Sequence, residues 1–136
     1  MLSLTEEIED IIYRIIGCAI AVHTEFGPGL LESIYQECLV LELVKAELKV
    51  EAKTRVPLVY QGTRLSGHLE LDLLVEDAVI VELKAVERLH PVYLAQVITY
   101  LKLASKPAGL LINFNTPSLR AAGIRRVTHP TLYTEK

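Results

Sequence analysis

The stretch of the chain that most constrains its fold is residues 71–86, LDLLVEDAVIVELKAV. It is almost wholly aliphatic and β-prone, yet it carries Asp72, Glu82 and Lys84. A run this apolar predicts a buried hairpin inside a sheet. Because burying a charge is costly unless the charge is paired or binds a metal, these three residues are the first candidates for function.

The hairpin has two plausible registers. A two-residue loop pairs Val75 with Ala78 and sets Asp72 opposite Val81, which mixes apolar and charged side chains on both faces. A three-residue loop pairs Val75 with Val79 and separates the two kinds of residue. Because a one-residue slip would scramble this separation, the hydrophobic pattern favours the second register. One face is then made of six aliphatic residues: Leu71, Leu73, Val75, Val79, Val81 and Leu83.

The second register places four charges, Glu70, Asp72, Glu82 and Lys84, on the other face of the hairpin, together with Leu74 and Ile80. Asp72 and Glu82 become directly opposed, with their Cβ atoms about 5 Å apart, and Lys84 follows on the same face. Two converging carboxylates repel unless a cation lies between them, and their hard oxygens suit Mg²⁺ or Mn²⁺. The alternative is an exposed face on which Lys84 simply pairs with Glu82. The apolar flanks argue against such an open face.

The rest of the chain predicts an α/β protein with a mixed β-sheet flanked by α-helices. A capping box at Ser3 and Glu6 opens a helix that ends near Phe26. The second helix, residues 30–48, is expected to face the core with Leu31, Ile34, Cys38, Leu41 and Leu48. A third helix spans residues 92–104. Strands are predicted at residues 49–60, 64–75, 79–86, 109–114 and 124–128.

Two helices add polar residues to the candidate site. Gln96 and Tyr100 lie four apart, so they project from one side of the third helix. The alternative for this pair is an ordinary boundary between a buried and an exposed face. Glu32 lies in the first turn of the second helix, where the helix dipole by itself favours an acid.

Composition limits the class of protein. The length of 136 residues fits one domain, 1–136, with a core at about 5–128. No apolar run reaches transmembrane length, the first residues are acidic and unlike a signal peptide, and Cys18 and Cys38 are expected to be reduced. We therefore expect a cytoplasmic protein without a membrane partner. Residues 71–136 hold 8 Lys/Arg against 6 Asp/Glu, which suggests either a phosphate-facing side or ordinary solvated charges.

The ordered set of motifs resembles a known group of enzymes. Asp72, then Glu82-Leu83-Lys84, then a QxxxY at Gln96 is similar to the PD-(D/E)XK nuclease superfamily and its RecB-like branch. Residues 29–35, GLLESIY, resemble the motif that names the GxxExxY protein family. The likeness covers about residues 8–128.

This resemblance implies a restriction-endonuclease-like core with a metal site. Asp72 and Glu82, a backbone carbonyl at Leu83 and the Glu32 carboxylate would hold Mg²⁺ or Mn²⁺. Lys84 would orient or activate the attacking water.

The resemblance also implies that Gln96 and Tyr100 line the nucleic-acid or metal side, which completes the expected catalytic set. The leading hypothesis is a Mg²⁺-dependent nuclease that hydrolyses phosphodiester bonds in DNA. The alternative is a catalytically inactive module of the same fold that binds nucleic acid or protein, and a homodimer is compatible with either.

Overall fold

The computed structural model describes residues 2–3, 5–131 and 133–134, with the side chains of residues 5–131. The helices are α1 (Glu6–Phe26), α2 (Glu32–Lys45) and α3 (Pro91–Ala104), with a π-helical turn at Leu119–Gly123. The strands are β1 (Leu2–Ser3), β2 (Val50–Tyr60), β3 (Thr63–Val75), β4 (Val79–Lys84), β5 (Ala108–Asn113), β6 (Ile124–Thr128) and β7 (Tyr133–Thr134).

Five strands form one mixed sheet in the order β2-β3-β4-β5-β6. Neighbouring strands are antiparallel except β4 and β5, which are parallel and are connected through α3. Helices α1 and α2 pack on one face of the sheet and α3 packs on the other. The predicted fold class is confirmed: the protein is α/β, with a mixed five-stranded sheet flanked by helices, consistent with a restriction-endonuclease-like fold.

The start of α1 differs from the predicted capping box. Ser3 lies in β1, which pairs in parallel with β7, and neither short strand was predicted. The helix instead begins after Thr5, whose hydroxyl accepts a hydrogen bond from the Ile8 amide. Capping therefore comes from the residue next to the first helical turn, as the geometry of an N-cap requires.

The buried face of α2 was predicted only in part: Leu48, just past the helix, is buried and Cys38 packs against the core, but the other three residues do not. Leu31, Ile34 and Leu41 are 70%, 39% and 61% exposed. The fully buried side chains of the helix are Tyr35, Leu39 and Leu43. Because α2 carries apolar residues on several sides, its periodicity did not identify the face that packs on the sheet.

The β3–β4 hairpin has the predicted three-residue loop and register. Val75 pairs with Val79 and Leu73 with Val81, and the loop residues Glu76 and Asp77 have left-handed backbone conformations. Of the six aliphatic residues expected on one face, five pack with α1 and α2: Leu73, Val75, Val79, Val81 and Leu83.

Leu71 is the exception, since it packs on the α3 face. The pairing of β2 with β3 is interrupted opposite Asp72, where Lys53 has a φ of 55°. This irregularity accompanies a break in the alternation of β3, so that Leu71 lies on the opposite side of the sheet from its expected neighbours.

Helix α3 lies very close to the sheet at Gly109. A Cβ atom placed on this glycine would lie 2.8 Å from Val97 Cγ1 and 3.4 Å from Leu101 Cδ2. The absence of a side chain therefore lets α3 approach β5 closely. This contact sets the height of α3 above the charged residues of β3 and β4.

Candidate active site

The predicted site residues line one cavity of about 120 Å³. It lies where the β3–β4 pairing ends, between the sheet, the first turn of α2 and one side of α3. Leu83 does not line this cavity with its side chain, which is buried on the α1–α2 face. The lining residues are Glu32, Glu70, Asp72, Glu82, Lys84, Tyr93, Gln96, Val97, Tyr100 and Leu111.

Asp72 and Glu82 are cross-strand neighbours, and the carboxylate of each accepts a hydrogen bond from a backbone amide of the other's strand. The Asp72 amide donates to Glu82 Oε2 at 2.9 Å, and the Leu83 amide donates to Asp72 Oδ2 at 2.9 Å. These bonds begin one residue beyond the ladder pair of Leu73 and Val81. The two carboxylates therefore replace backbone carbonyls as acceptors, and this holds them together at the mouth of the hairpin.

The Glu82 carboxyl is buried, with 7% of its surface exposed. Desolvation, followed by the hydrogen bond and the negative charge of Asp72, raises the pKa of Glu82, against a smaller opposing effect of Lys84. With Asp72 next to the buried Glu82, a shared proton or a bound cation is favoured over two separate negative charges.

Glu32 reaches the cavity because the turn between α1 and α2 is fixed by Tyr35. The Tyr35 hydroxyl donates to the Gly27 carbonyl at 2.5 Å and accepts from the Leu30 amide at 3.1 Å. Its ring stacks on Phe114 at 4.4 Å. The tyrosine of the GLLESIY stretch thus holds the turn, its glycine, Gly29, has a φ of 109° there, and its glutamate enters the site.

The electrostatics of Glu32 link it to the acids on the sheet. Burial raises its pKa, the negative charge of Asp72 raises it further, and Lys84 opposes both. Helix α2 also contacts β3 directly, since the Gln36 amide donates to the Asp72 carbonyl at 3.3 Å.

Lys84 lies over an aromatic ring. Its Nζ atom is 4.5 Å from the centroid of Tyr93 in the first turn of α3. A cation over a ring face is attracted by the quadrupole of the ring. The ammonium is thereby held in the cavity, where its charge opposes the rise in the pKa of Glu82 and of Glu32.

Gln96 and Tyr100 project from the same side of α3 into the cavity, as their spacing predicts. Burial raises the pKa of Tyr100, and the charges of Glu82 and Asp72 raise it further. The phenol therefore stays protonated at neutral pH and remains a hydrogen-bond donor at the edge of the acidic cluster.

Comparison with known proteins places the chain in a family. A model described as the PD-(D/E)XK nuclease superfamily matches residues 9–127. The chain belongs to this superfamily. Searches among curated proteins and among solved structures gave no match. The match covers every element that lines the cavity.

The acids of this superfamily member fit a divalent cation by their chemistry. Asp72 and Glu82 present hard carboxylate oxygens to one small cavity, and each has a second oxygen besides the one that accepts the amide hydrogen bond. Within the described residues, no group of three or more His, Cys, Asp or Glu side chains forms a complete metal site. Two acids with water and substrate oxygens are the usual ligands of Mg²⁺.

The sequence placed Glu70 on the charged face of the hairpin without assigning it to the site, and Tyr93 was missed. Glu70 alternates with Asp72 along β3, and Tyr93 lies three residues before Gln96 and seven before Tyr100 on α3. Both signals were present in the spacing, because period two and a step of three or seven define shared faces.

The helices of the described ranges include no membrane span. Among the described residues, no helix combines the length and the apolarity that crossing a bilayer requires.

Proposed function

We propose that this protein is a Mg²⁺- or Mn²⁺-dependent nuclease that hydrolyses phosphodiester bonds in DNA. The observation that carries the proposal is the convergence of Asp72, Glu82 and Lys84 in one cavity. An acidic pair beside one ammonium suits a reaction in which a cation and a lysine together act on a phosphate.

The roles of the metal-binding residues follow from their surroundings. Asp72, Glu82 and the Leu83 carbonyl would hold the cation, and Glu32 would complete the set from α2. When bound, the cation would supply Lewis-acid stabilisation of phosphate charge and would lower the pKa of a water. The interlocked amide bonds keep both carboxylates pointed at the cavity without substrate, so little reorganisation is needed.

The other lining residues act on water and substrate. Lys84 orients the attacking water and offsets negative charge on the phosphate. Gln96 and Tyr100 offer an amide and a phenol from α3, and both groups hydrogen-bond phosphate or sugar oxygens.

Several finer assignments accompany this proposal. The GLLESIY stretch, with its structural glycine and tyrosine and its cavity-facing Glu32, supports membership in the GxxExxY family. We further propose that the chain acts as one domain, as a monomer or homodimer, in the cytoplasm.

The test is cleavage of single- and double-stranded DNA with Mg²⁺ or Mn²⁺. Asp72→Asn and Lys84→Ala should each lower the rate by about 10² to 10³-fold, since each removes a charge that acts on the reacting phosphate. Matched controls are Glu37→Gln and Lys45→Ala, which change exposed side chains of α2. Cleavage that is unchanged in both site variants would refute the proposal.

The second candidate is a catalytically inactive binding module of the same fold. It is distinguished by calorimetry with Mg²⁺ or Mn²⁺. Heat of binding that disappears in Asp72→Asn supports the nuclease, whereas the lack of any binding in the wild type supports the inactive module.

A further inference from the structure

The β2–β3 hairpin is much longer than the sheet to which it belongs. Strand β3 has 13 residues and β2 has 11, whereas β4 has only 6. Continuing the β3–β4 register places Glu70 opposite Lys84, the last residue of β4. Beyond this point residues 56–69 form a two-stranded ribbon, which we call the arm. Residues 63–68 of the arm are all exposed.

The arm extends from the edge of the cavity. Glu70 lines the cavity, and His68 and Arg64 follow at even intervals along the same strand. In a strand, residues at even spacing lie on one face, and each residue advances the chain by about 3.3 Å. His68 pairs with Pro57 and Arg64 with Val59, two residues further along β2, with a bulge of β3 between them. His68 and Arg64 therefore lie roughly 7 Å and roughly 13 Å beyond Glu70, on the face that continues from the cavity.

The charge of the arm is opposite to that of the cavity. Residues 56–69 contain no Asp or Glu and carry Arg64 and His68, and Arg55 lies at the base of the arm. The chain as a whole has a net charge of −3. The acidic cavity is suited to binding a cation, whereas the arm, which begins beside it, is suited to binding a polyanion.

The tip of the arm also exposes apolar surface. Tyr60 is 64% exposed and pairs across the ribbon with Thr63, and Val59 is 57% exposed and pairs with Arg64. Basic side chains interleaved with an exposed aromatic ring are suited to a nucleic-acid backbone and its bases.

We propose that the arm binds the phosphate backbone of the DNA that leads away from the cavity. One strand of a duplex advances about 3.4 Å per nucleotide. Arg64 therefore contacts a phosphate about four nucleotides from the one in the cavity, and His68 contacts one about two nucleotides away. Tyr60 packs on a sugar or base at the tip.

DNA is favoured over a second copy of the chain because of the charges on the arm. The centres of protein interfaces are depleted in charged residues, whereas the face formed by Arg64 and His68 is polar and basic. The position of the arm's DNA contacts relative to the cleaved phosphodiester bond rests on the proposed function. The affinity of the arm for DNA does not.

The experiment measures binding of a labelled duplex of about 30 base pairs by anisotropy, in EDTA so that no cleavage occurs. Arg64→Gln should weaken binding about threefold to tenfold. It should also reduce the slope of log K against log salt by about 0.9, the value for one phosphate contact. The matched control is Lys45→Gln, which removes the same charge about 20 Å from Glu32 at the other end of α2. It should bind as the wild type does.

Three outcomes would overturn the proposal. The first is a wild-type protein that does not bind the duplex, and the second is an Arg64→Gln variant that binds as tightly as the Lys45→Gln variant. The third is a wild-type protein that sediments as a dimer and a Val59→Ser variant that sediments as a monomer, while Arg64→Gln leaves DNA binding intact. This result would show that the arm binds a second copy of the chain. Thermal unfolding of each variant checks that it folds.

The two proposals fail separately. If the wild type cleaves no DNA but Arg64→Gln selectively weakens binding, the nuclease assignment fails and the arm stands. If cleavage depends on Asp72 and Lys84 while Arg64→Gln changes neither affinity nor salt slope, the nuclease stands and the arm fails.

Discussion

The two faces of the β3–β4 hairpin are formed by alternating residues of the same two strands, yet they have different roles. The face toward α1 and α2 is aliphatic, with Leu73, Val81 and Leu83 in one continuous core. The face toward α3 is apolar near the hairpin loop, at Leu74 and Ile80, and becomes charged toward its open end. A strand alternation of two residues therefore lets one hairpin anchor the fold and carry the candidate site at once.

The largest expected effect is a loss of stability, and it tests the contrast between the two faces at adjacent residues. Leu83→Ala should lower the free energy of unfolding by about 2 to 5 kcal/mol, because it empties a fully buried position. Lys84→Ala, one residue later, should change it by less than about 1 kcal/mol. Urea denaturation measures both. Equal losses in the two variants would contradict the division of roles.

The next effect tests whether close packing of α3 sets the height of the site. Gly109→Ala should lower the free energy of unfolding by about 1 to 3 kcal/mol, because the new methyl group meets Val97. It should also reduce cleavage more than unfolding explains, since Gln96 and Tyr100 move with the helix. Gly17→Ala is the control, because a Cβ atom there meets nothing within 4 Å. Full activity of folded Gly109→Ala would show that the site tolerates a shift of α3.

A smaller effect concerns the pH dependence of the metal-free protein. Folding raises the pKa of Glu82 from 4.5 to about 9, so the folded state binds the proton more tightly than the unfolded state. Its contribution to stability is complete below pH 4.5 and is lost as pH rises toward 9. Glu82→Gln should therefore reduce the loss of stability with rising pH. At pH 8 the variant should be more stable than the wild type by roughly 1 to 3 kcal/mol.

The measurement for Glu82 is urea denaturation in EDTA at several pH values, with Glu37→Gln as the exposed control. A wild-type stability that rises between pH 6 and pH 8 through a Glu82-dependent term would contradict the buried-carboxyl interpretation.

The smallest effect concerns the ring beneath Lys84. Tyr93→Leu should remove about 0.5 to 2 kcal/mol of attraction for the ammonium, or roughly twofold to thirtyfold in cleavage rate. Tyr93→Phe should keep most of the rate, because the ring face remains. A Phe variant as impaired as the Leu variant would show that the phenol, rather than the ring face, matters. Comparing kcat with KM separates positioning of Lys84 from substrate binding.

Much of the site was predictable because its central part is local in sequence. The hydrophobic alternation of residues 71–86 selected the register, and the register alone brought Asp72 and Glu82 together. The i to i+4 spacing of Gln96 and Tyr100 likewise predicted that they share a side of α3. These inferences needed only strand and helix periods, together with the cost of burying charge.

What failed involved contacts between distant segments. Leu71 left its predicted face where Lys53, on another strand, interrupts the pairing opposite Asp72. The buried face of α2 was partly misassigned because the helix is apolar on several sides. The choice among them is made by Tyr35 stacking on Phe114 of the distant β5 end.

The sequence by itself determined the α/β class, the hairpin register and the convergence of two acids with a lysine, since each follows from short-range periodicity. Only the tertiary structure decided that Glu32 and Tyr93 close the cavity, and that β2 and β3 continue past β4 as a basic arm. These features depend on where α2, α3 and the strand ends pack, and packing between remote segments leaves no period in the chain.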